Sequence, residues 1–387
     1  MISYLYKKIL VSIGYCFHYI MKYNIRKTLF VCLHLLLFAF FSPLSAYSGG
    51  NQGHELTIYI MPTLKPLDWV SPRELYKSTV SCFLKTITKS DNYLLGHVAV
   101  KLETPLLDKP LLTAQTSCGM KEKFSLVFKQ KVGLGMLGLA IQGRMEPSEE
   151  LSRKLKIYAE REQLTFIRYK INEKAADRLI KFVKLYAMIR DNSLAPCNYY
   201  GGAFWPRYQD EGAGCSSFGI AMMELAGIKP VDPEKWIVNV KIPMKLVGGH
   251  LNNGKKVQVK EIMKTNSWYE SNGTPDIDFI SYNVYEPSLM FEWVENKIKQ
   301  KSLGYEIIEE DGVAGLLIDA TNAVIDENEP LFLKNKNPNL FINYHIQKIQ
   351  NKIQLDTILN ITQSLKIPEY LFLPAKIKNV DPSKIVF

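Results

Sequence analysis

The fold is decided by the stretch NYYGGAFWPRYQDEGAGCSSFGIAMMELAG, which spans residues 198–227. It joins a glycine-rich, aromatic loop to an apolar run in which Phe218, Met222 and Leu225 recur at helical spacing. Cys215 is therefore predicted to open a buried helix, where free backbone N–H groups and the helix dipole favour a thiolate. The same position also suits a small buried cysteine that has no chemical role.

The composition is that of an ordinary globular protein. Of the 387 residues, 47% are hydrophobic and 22% are charged, which suits one large domain or two modest ones. The net charge is +10, but residues 1–46 hold five of the 48 basic residues and no acid, so the remainder carries +5. This mild, evenly spread charge argues against a nucleic-acid partner.

Residues 1–46 have the pattern of a signal peptide. Three basic residues between positions 22 and 27 precede an apolar core over residues 28–41, and Ala46 closes a typical cleavage site. Met21 offers an alternative start. The core is shorter than the roughly 18–20 residues that span a bilayer, which favours cleavage over a retained anchor. The sequence thus predicts an exported protein, periplasmic or secreted, without a stable membrane span after cleavage.

Four cysteines follow the predicted signal. They are Cys82, Cys118, Cys197 and Cys215, which could form two disulfides in an oxidising compartment. If Cys215 is a free nucleophile, at most one bridge remains, and Cys82 with Cys118 is the preferred pair.

The hydrophobic periodicity predicts an α+β chain. Asn172 is expected to cap a helix. Gly133–Gly138 fits the dinucleotide fingerprint, but Gly143 and Pro147 follow too soon for a crossover helix, so a loop is expected.

The sequence pattern changes near Pro230. This change divides the chain into a domain at 47–230 and a C-terminal region at 231–387. Strands are expected at 55–60, 93–103, 111–117, 124–128, 164–169, 236–242 and 313–319, and helices at 71–89, 147–163, 172–191 and 287–301.

His97 is the histidine best placed to act with Cys215. It follows Gly96 and opens an apolar strand, so it can face a cysteine at a helix start, take the thiol proton and return it to a leaving group. Gln115, on the partner strand, is expected to orient the ring through its amide oxygen. The Cys215 backbone N–H and one further donor would hold the oxyanion. The competing interpretation is a buried histidine whose ring nitrogens have hydrogen-bond partners, beside a cysteine with no chemical role.

The other histidines are weaker candidates. His250 offers the reverse order, with cysteine first, but a turn rather than an apolar strand follows it. His54 and His345 are expected to be exposed bystanders. No metal or cofactor is expected, because C-x-x-C and H-x-x-x-H spacings and a P-loop are missing from the sequence.

The loop before Cys215 is the expected substrate groove. It is long and too aromatic for a disordered segment, although it could instead be pinned to the surface. Asp210 and Glu211 could orient His97 or bind a cationic substrate group, or could only keep the loop soluble. The candidate substrate-binding residues are Tyr199, Tyr200, Trp205, Tyr208, Asp210 and Glu211.

Two short motifs resemble a known superfamily. Gly96-His97-Val98-Ala99-Val100, followed by Gly214-Cys215-Ser216-Ser217-Phe218 at a helix start, is similar to the motifs of the circularly permuted papain-like fold of NlpC/P60 proteins. In the permuted members the histidine strand precedes the cysteine helix. The resemblance covers about residues 55–228 and implies an antiparallel sheet packed on the cysteine helix. It implies a cysteine peptidase-like or amidase-like hydrolase, or a lipid acyltransferase-like enzyme.

The sequence therefore predicts an exported thiol hydrolase or acyltransferase that acts on an amide or peptide acyl group of the cell envelope. Cys215 and His97 would carry the chemistry. One alternative is a lipid-directed acyl hydrolase on the same fold. The other is a non-catalytic exported binding protein in which the cysteine is structural.

Overall fold

The computed structural model of the chain describes residues 53–87, 93, 95–118, 120–187, 195–356 and 366–374. Residues from Gly53 onward form one compact unit of the α+β class. The predicted signal peptide and Met21 lie outside the described residues. In the part that is described, no helix has the length and apolarity required to cross a membrane.

The strands in chain order are β1 (His54–Met61), β2 (His97–Glu103), β3 (Leu111–Thr113), β4 (Gln115–Ser117), β5 (Ile141–Met145), β6 (Thr165–Ile171), β7 (Tyr199–Tyr200), β8 (Ile237–Pro243), β9 (Phe279–Tyr285), β10 (Glu306–Glu310) and β11 (Val313–Asp319). The helices are α1 (Pro72–Ile87), α2 (Met120–Phe124), α3 (Ser148–Glu160), α4 (Glu173–Tyr186), α5 (Cys215–Leu225), α6 (Val259–Met263), α7 (Pro287–Lys299) and α8 (Leu340–Asp356).

A six-stranded mixed sheet forms the centre of the molecule, in the order β10-β11-β6-β1-β2-β3. Its pairs are antiparallel except for the parallel pair of β6 and β11. Leu56, Ile58 and Ile60 alternate along β1 and are fully buried, as expected for one core-facing side of a strand. The register pairs Met61 with His97, which places His97 at one end of the sheet.

Strands from both sides of residue 230 share this sheet. Leu316 of β11 lies beside Ile167 of β6, and both side chains are fully buried in one core. The boundary predicted near residue 230 therefore does not separate two compact units.

A second sheet of three strands, in the order β4-β5-β7, stands beside the first. The single strand predicted at 111–117 is divided between the two sheets, because Ala114 separates β3 from β4 and its carbonyl accepts from the backbone N–H of Glu146 at 2.8 Å. The expected cap of α4 is confirmed, since Asn172 Oδ1 accepts from the Ala175 N–H at 2.9 Å.

Two segments predicted as a strand and a loop form helical turns. The expected strand at 124–128 is wrong: α2 continues as a wide helical turn over Ser125–Lys129. Alternation of Phe124, Leu126 and Phe128 suggested a strand, but only Leu126 of the three is buried. The Gly133–Gly138 loop contains a short 3-10 turn over Leu134–Leu137, with no crossover helix.

The cysteine helix α5 lies directly on β2. Phe218 is fully buried and its ring packs 5.3 Å from that of Tyr186 on α4. A Cβ on Gly219 would come within 2.7 Å of Val98 Cγ1, so the missing side chain allows the close approach of helix and strand. This approach brings the first residues of α5 and β2 together.

Gly219→Ala is expected to lower the free energy of unfolding by about 1–3 kcal/mol, because the added methyl overpacks the contact with Val98. An alanine in a helix interior would otherwise stabilise the fold by roughly 0.5–1 kcal/mol. Adding Val98→Ala should recover part of the loss, so the double variant should be more stable than the two single effects predict. Urea unfolding of all four chains measures this. A stabilised Gly219→Ala variant would contradict the proposed close contact.

Candidate active site

Cys215 and His97 meet where α5 begins beside the start of β2. Both side chains are buried, with 6% and 2% of their surface exposed. The imidazole lies close enough to the thiol for each group to influence the ionisation of the other. Gly96 precedes His97 with a φ of +69°, a conformation that favours glycine, and a Cβ there would lie 2.9 Å from the Met61 carbonyl oxygen. The sequence-predicted pair is thus brought into contact.

A buried carboxylate holds the other side of the imidazole. Glu146 is fully buried, and its Oε2 lies 2.8 Å from His97 Nε2, which leaves Nδ1 for Cys215. Glu146 Oε1 accepts from the Tyr93 hydroxyl at 2.6 Å and from Lys154 Nζ at 2.9 Å. Tyr93 also stacks on the imidazole, with ring centroids 3.8 Å apart. Ring orientation and tautomer are therefore both fixed.

The electrostatics favour a charged pair. Burial alone would lower the pKa of His97, but Glu146 and Cys215 outweigh it and raise that pKa to about 9. Burial alone would raise the pKa of the Cys215 thiol, but His97 outweighs it and lowers that pKa. Burial acts to raise the pKa of Glu146, yet His97 and Lys154 hold it at about 2. The arrangement therefore favours the ionised forms of all three groups, the thiolate, the imidazolium and the carboxylate.

Gln115 does not hold the imidazole, which corrects its predicted role. Its Nε2 donates to the backbone carbonyls of Cys197, at 2.8 Å, and Tyr199, at 3.2 Å. The chain changes sheet at Ala114, so the side-chain alternation expected for one continuous strand does not continue to Gln115. Gln115 ties the start of the aromatic loop to β4.

Glu146 was not among the predicted site residues because no strand was predicted between the loop at Gly133–Gly138 and the helix at 147–163. The sequence does carry a short signal: Ile141, Gly143 and Met145 are buried and alternate with Gln142 and Arg144, as in a strand. That strand, β5, ends one residue before Glu146. An acid directly after a short alternating stretch is the only sequence clue to this position.

Of the predicted substrate-binding residues, Tyr200 reaches the thiol. Its hydroxyl lies 3.9 Å from Cys215 Sγ. Trp205 packs against Tyr285, with ring centroids 6.0 Å apart. Tyr208 lies further along the loop, where its backbone pairs with Leu333.

Two buried titratable groups hold the remainder of the loop. Glu211 is fully buried; it accepts from the Trp205 backbone N–H at 3.1 Å and from Asn335 Nδ2 at 2.8 Å. His345 is 2% exposed, not a solvent-exposed bystander, and its Nε2 donates to the Asp210 carbonyl at 3.1 Å. The Asp210 side chain is exposed. Burial raises the pKa of Glu211 to about 7 and lowers the pKa of His345 to about 4.

The His345 ring is enclosed by aromatic side chains because α8 packs on the loop. It meets the rings of Tyr199 and Phe204 edge-on, at centroid distances of 4.6 and 4.9 Å. Tyr199, a predicted substrate-binding residue, therefore contacts α8.

The remaining candidates lie elsewhere. His250 is exposed at a turn and stacks on Tyr344, and His54 Nδ1 lies 2.7 Å from Thr104 Oγ1. The thiol of Cys118 is free, so the expected bridge with Cys82 is not formed. In the described ranges, no group of three or more His, Cys, Asp or Glu residues could hold a metal ion.

No protein-family model, curated protein or solved structure matches this chain.

The Cys215 thiol is expected to react with iodoacetamide at a lower pH than an ordinary thiol, because His97 lowers its pKa. The rate should be measured against pH in a Cys118→Ser background, since Cys118 is only partly buried. His97→Gln and Glu146→Gln should both shift the profile to higher pH, because each removes support for the thiolate. The Cys215→Ala variant gives the background rate, which comes from the other thiols. An unshifted profile in Glu146→Gln would contradict the coupling.

Glu211 and His345 are expected to give opposite pH dependences of stability. The raised pKa of Glu211 means that the folded chain holds its proton up to about pH 7, so stability falls as pH rises from 4.5 to 7. The lowered pKa of His345 means that the unfolded chain binds the extra proton, so stability rises from pH 4 to 6.5. Each slope is limited to about 1.4 kcal/mol per pH unit.

Urea unfolding across this range tests both groups. The stability of Glu211→Gln relative to the unsubstituted chain should increase with pH, that of His345→Gln should decrease, and the double variant should show a nearly flat difference. A flat difference for Glu211→Gln alone would mean that this carboxyl titrates normally.

Proposed function

We propose that this chain is a thiol hydrolase or acyltransferase that attacks an amide or peptide acyl group through Cys215, His97 and Glu146. The observation that carries the proposal is the buried row of Cys215, His97 and Glu146, in which His97 lowers the pKa of the thiol and Glu146 Oε2 lies 2.8 Å from His97 Nε2. Burying ions costs several kcal/mol each unless they are well paired. An inert core cysteine needs no such partners, so the arrangement favours chemistry over packing alone.

The element order supports a permuted papain-like arrangement as part of this proposal. The histidine strand β2 precedes the cysteine helix α5 in the chain and lies between the antiparallel neighbours β1 and β3. The helix packs against this strand with the thiol at its N-terminal end. This is the order that distinguishes permuted members from papain itself.

The proposed reaction has two stages. The Cys215 thiolate attacks the acyl carbon, a C–S bond forms, and the imidazolium of His97 gives its proton to the departing amine as the C–N bond breaks. A water molecule or an acceptor alcohol or amine then attacks the thioester; His97 takes its proton and the thiolate departs. Glu146 remains ionised and orients His97 throughout.

The oxyanion is assigned to two donors. The Cys215 backbone N–H lies at the helix start, where it has no partner within the helix. The Tyr200 hydroxyl already contacts the thiol of the same residue, so a small rotation would turn it into the second donor. We assign export to the same proposal on the pattern of residues 1–46, and a cell-envelope amide as the substrate class.

Brief incubation with activated amide and ester acyl donors, followed by acid quenching, is expected to trap an acyl adduct, detected as an added mass on the peptide that contains Cys215. Cys215→Ala should remove the adduct, and His97→Ala should slow its formation by about 10²–10⁴-fold. Glu146→Gln should slow it less than His97→Ala while keeping the fold. Cys118→Ser, which removes a thiol outside the site, is the matched control.

Labelling that survives Cys215→Ala, or that is indifferent to His97→Ala, would rule out the proposed pair. Binding of envelope peptides without any adduct or turnover would favour the non-catalytic alternative.

A further inference from the structure

We propose that the helical segment at residues 120–129 docks the protein onto the surface of an anionic phospholipid membrane. The segment presents an apolar face made of Phe124, Val127 and Phe128. These side chains are 47%, 43% and 64% exposed, and the rings of Phe124 and Phe128 stack on each other with centroids 5.5 Å apart. The stacking places Phe124 and Phe128 on one side of the segment.

The opposite side of this segment is fixed to the protein. Leu126 is buried in a core cluster with residues that include Ile141 and Val257. Glu122 Oε2 accepts from the Gln142 backbone N–H at 2.7 Å, and Lys123 Nζ donates to Ser117 Oγ at 2.6 Å. With these contacts in place, the apolar face cannot rotate inward to bury its rings.

The positive charge around the apolar face favours binding to an anionic surface. Lys121 and Lys129 are exposed at its two ends. Glu122 is committed to the backbone of Gln142, and no Asp or Glu occurs between Lys123 and Met145. A short helix with exposed phenylalanine side chains flanked by lysines is the pattern of an interfacial membrane helix, in which the rings enter the acyl boundary and the amines meet lipid phosphates.

The small sheet connects this surface with the candidate active site. Glu122 holds Gln142 on β5, and the preceding residue, Ile141, pairs with Tyr200 on β7. The Tyr200 hydroxyl contacts the Cys215 thiol. Docking does not depend on catalysis, so the proposal stands or fails independently of the acyl-transfer chemistry.

Photolabelling can locate the membrane contact on the full chain. Vesicles of phosphatidylcholine and phosphatidylglycerol in equal parts, doped with a phospholipid that carries a diazirine in its acyl chain, are irradiated with the protein and the labelled peptides are identified by mass spectrometry. Label is expected on the peptide that contains Phe124 and Phe128. Because the readout is local, lipid contact by residues 28–41 cannot imitate it.

Phe124→Ser with Phe128→Ser should reduce labelling of that peptide by at least about tenfold, since most of the exposed apolar surface of the face is lost. Leu303→Ser with Val324→Ser is the matched control, because these side chains are 98% and 88% exposed outside the segment and their loss should leave the labelling unchanged. Lys121→Gln with Lys129→Gln should weaken labelling on anionic vesicles and remove its dependence on salt.

Three results would overturn the proposal. The first is an unlabelled 120–131 peptide in the unsubstituted chain, and the second is equal labelling after the phenylalanine substitutions. The third is a dimer that forms without vesicles and is abolished by Phe124→Ser with Phe128→Ser, because it would assign the apolar face to a second copy of the chain. Circular dichroism of each variant checks that the fold is retained.

Discussion

The buried ion pair of His97 and Glu146 is the interaction on which the site depends. Neither ion would be stable alone in this interior, since each would face a desolvation cost of several kcal/mol. Together, with the Tyr93 hydroxyl and the Lys154 ammonium on the second carboxylate oxygen, every polar atom of Glu146 has a partner. The charge on His97 in turn lowers the pKa of the Cys215 thiol.

The aromatic loop is held by a different set of buried polar side chains. Arg207 is fully buried and donates to the Pro330 carbonyl at 3.0 Å, while its guanidinium also pairs with Glu224 on the cysteine helix. Glu211 joins the same loop to Asn335. Chain beyond residue 230 therefore braces the loop that leads to Cys215. The C-terminal region thus supports the site, which explains why a separate domain there is not observed.

The small sheet β4-β5-β7 lies between the candidate active site and the exposed apolar face of residues 120–129. At one end of this sheet Glu146 contacts the imidazole of His97. On its last strand, Tyr200 contacts the thiol of Cys215. The helical segment that follows β4 leaves Phe124 and Phe128 in solvent. This small sheet therefore connects the proposed catalytic and docking features.

The sequence by itself determined the local elements that carry the nucleophile and its base. Helical periodicity placed Cys215 at a helix start, and β-alternation placed His97 on a strand, since both signals come from neighbours a few residues away. The same local rules indicated the cap at Asn172 and the strand at 313–319. They misled at 124–128, where the alternation of apolar residues does not reflect burial.

Only the tertiary structure decided which group completes the site. Glu146 lies 49 residues from His97 along the chain, and their contact depends on a change of sheet at Ala114 that no local pattern records. Likewise, Glu211 and His345 became buried because α8 packs against the loop from 135 residues away. Side-chain burial and ion pairing are set by distant segments meeting in space, whereas periodicity reports only on the segment that contains it.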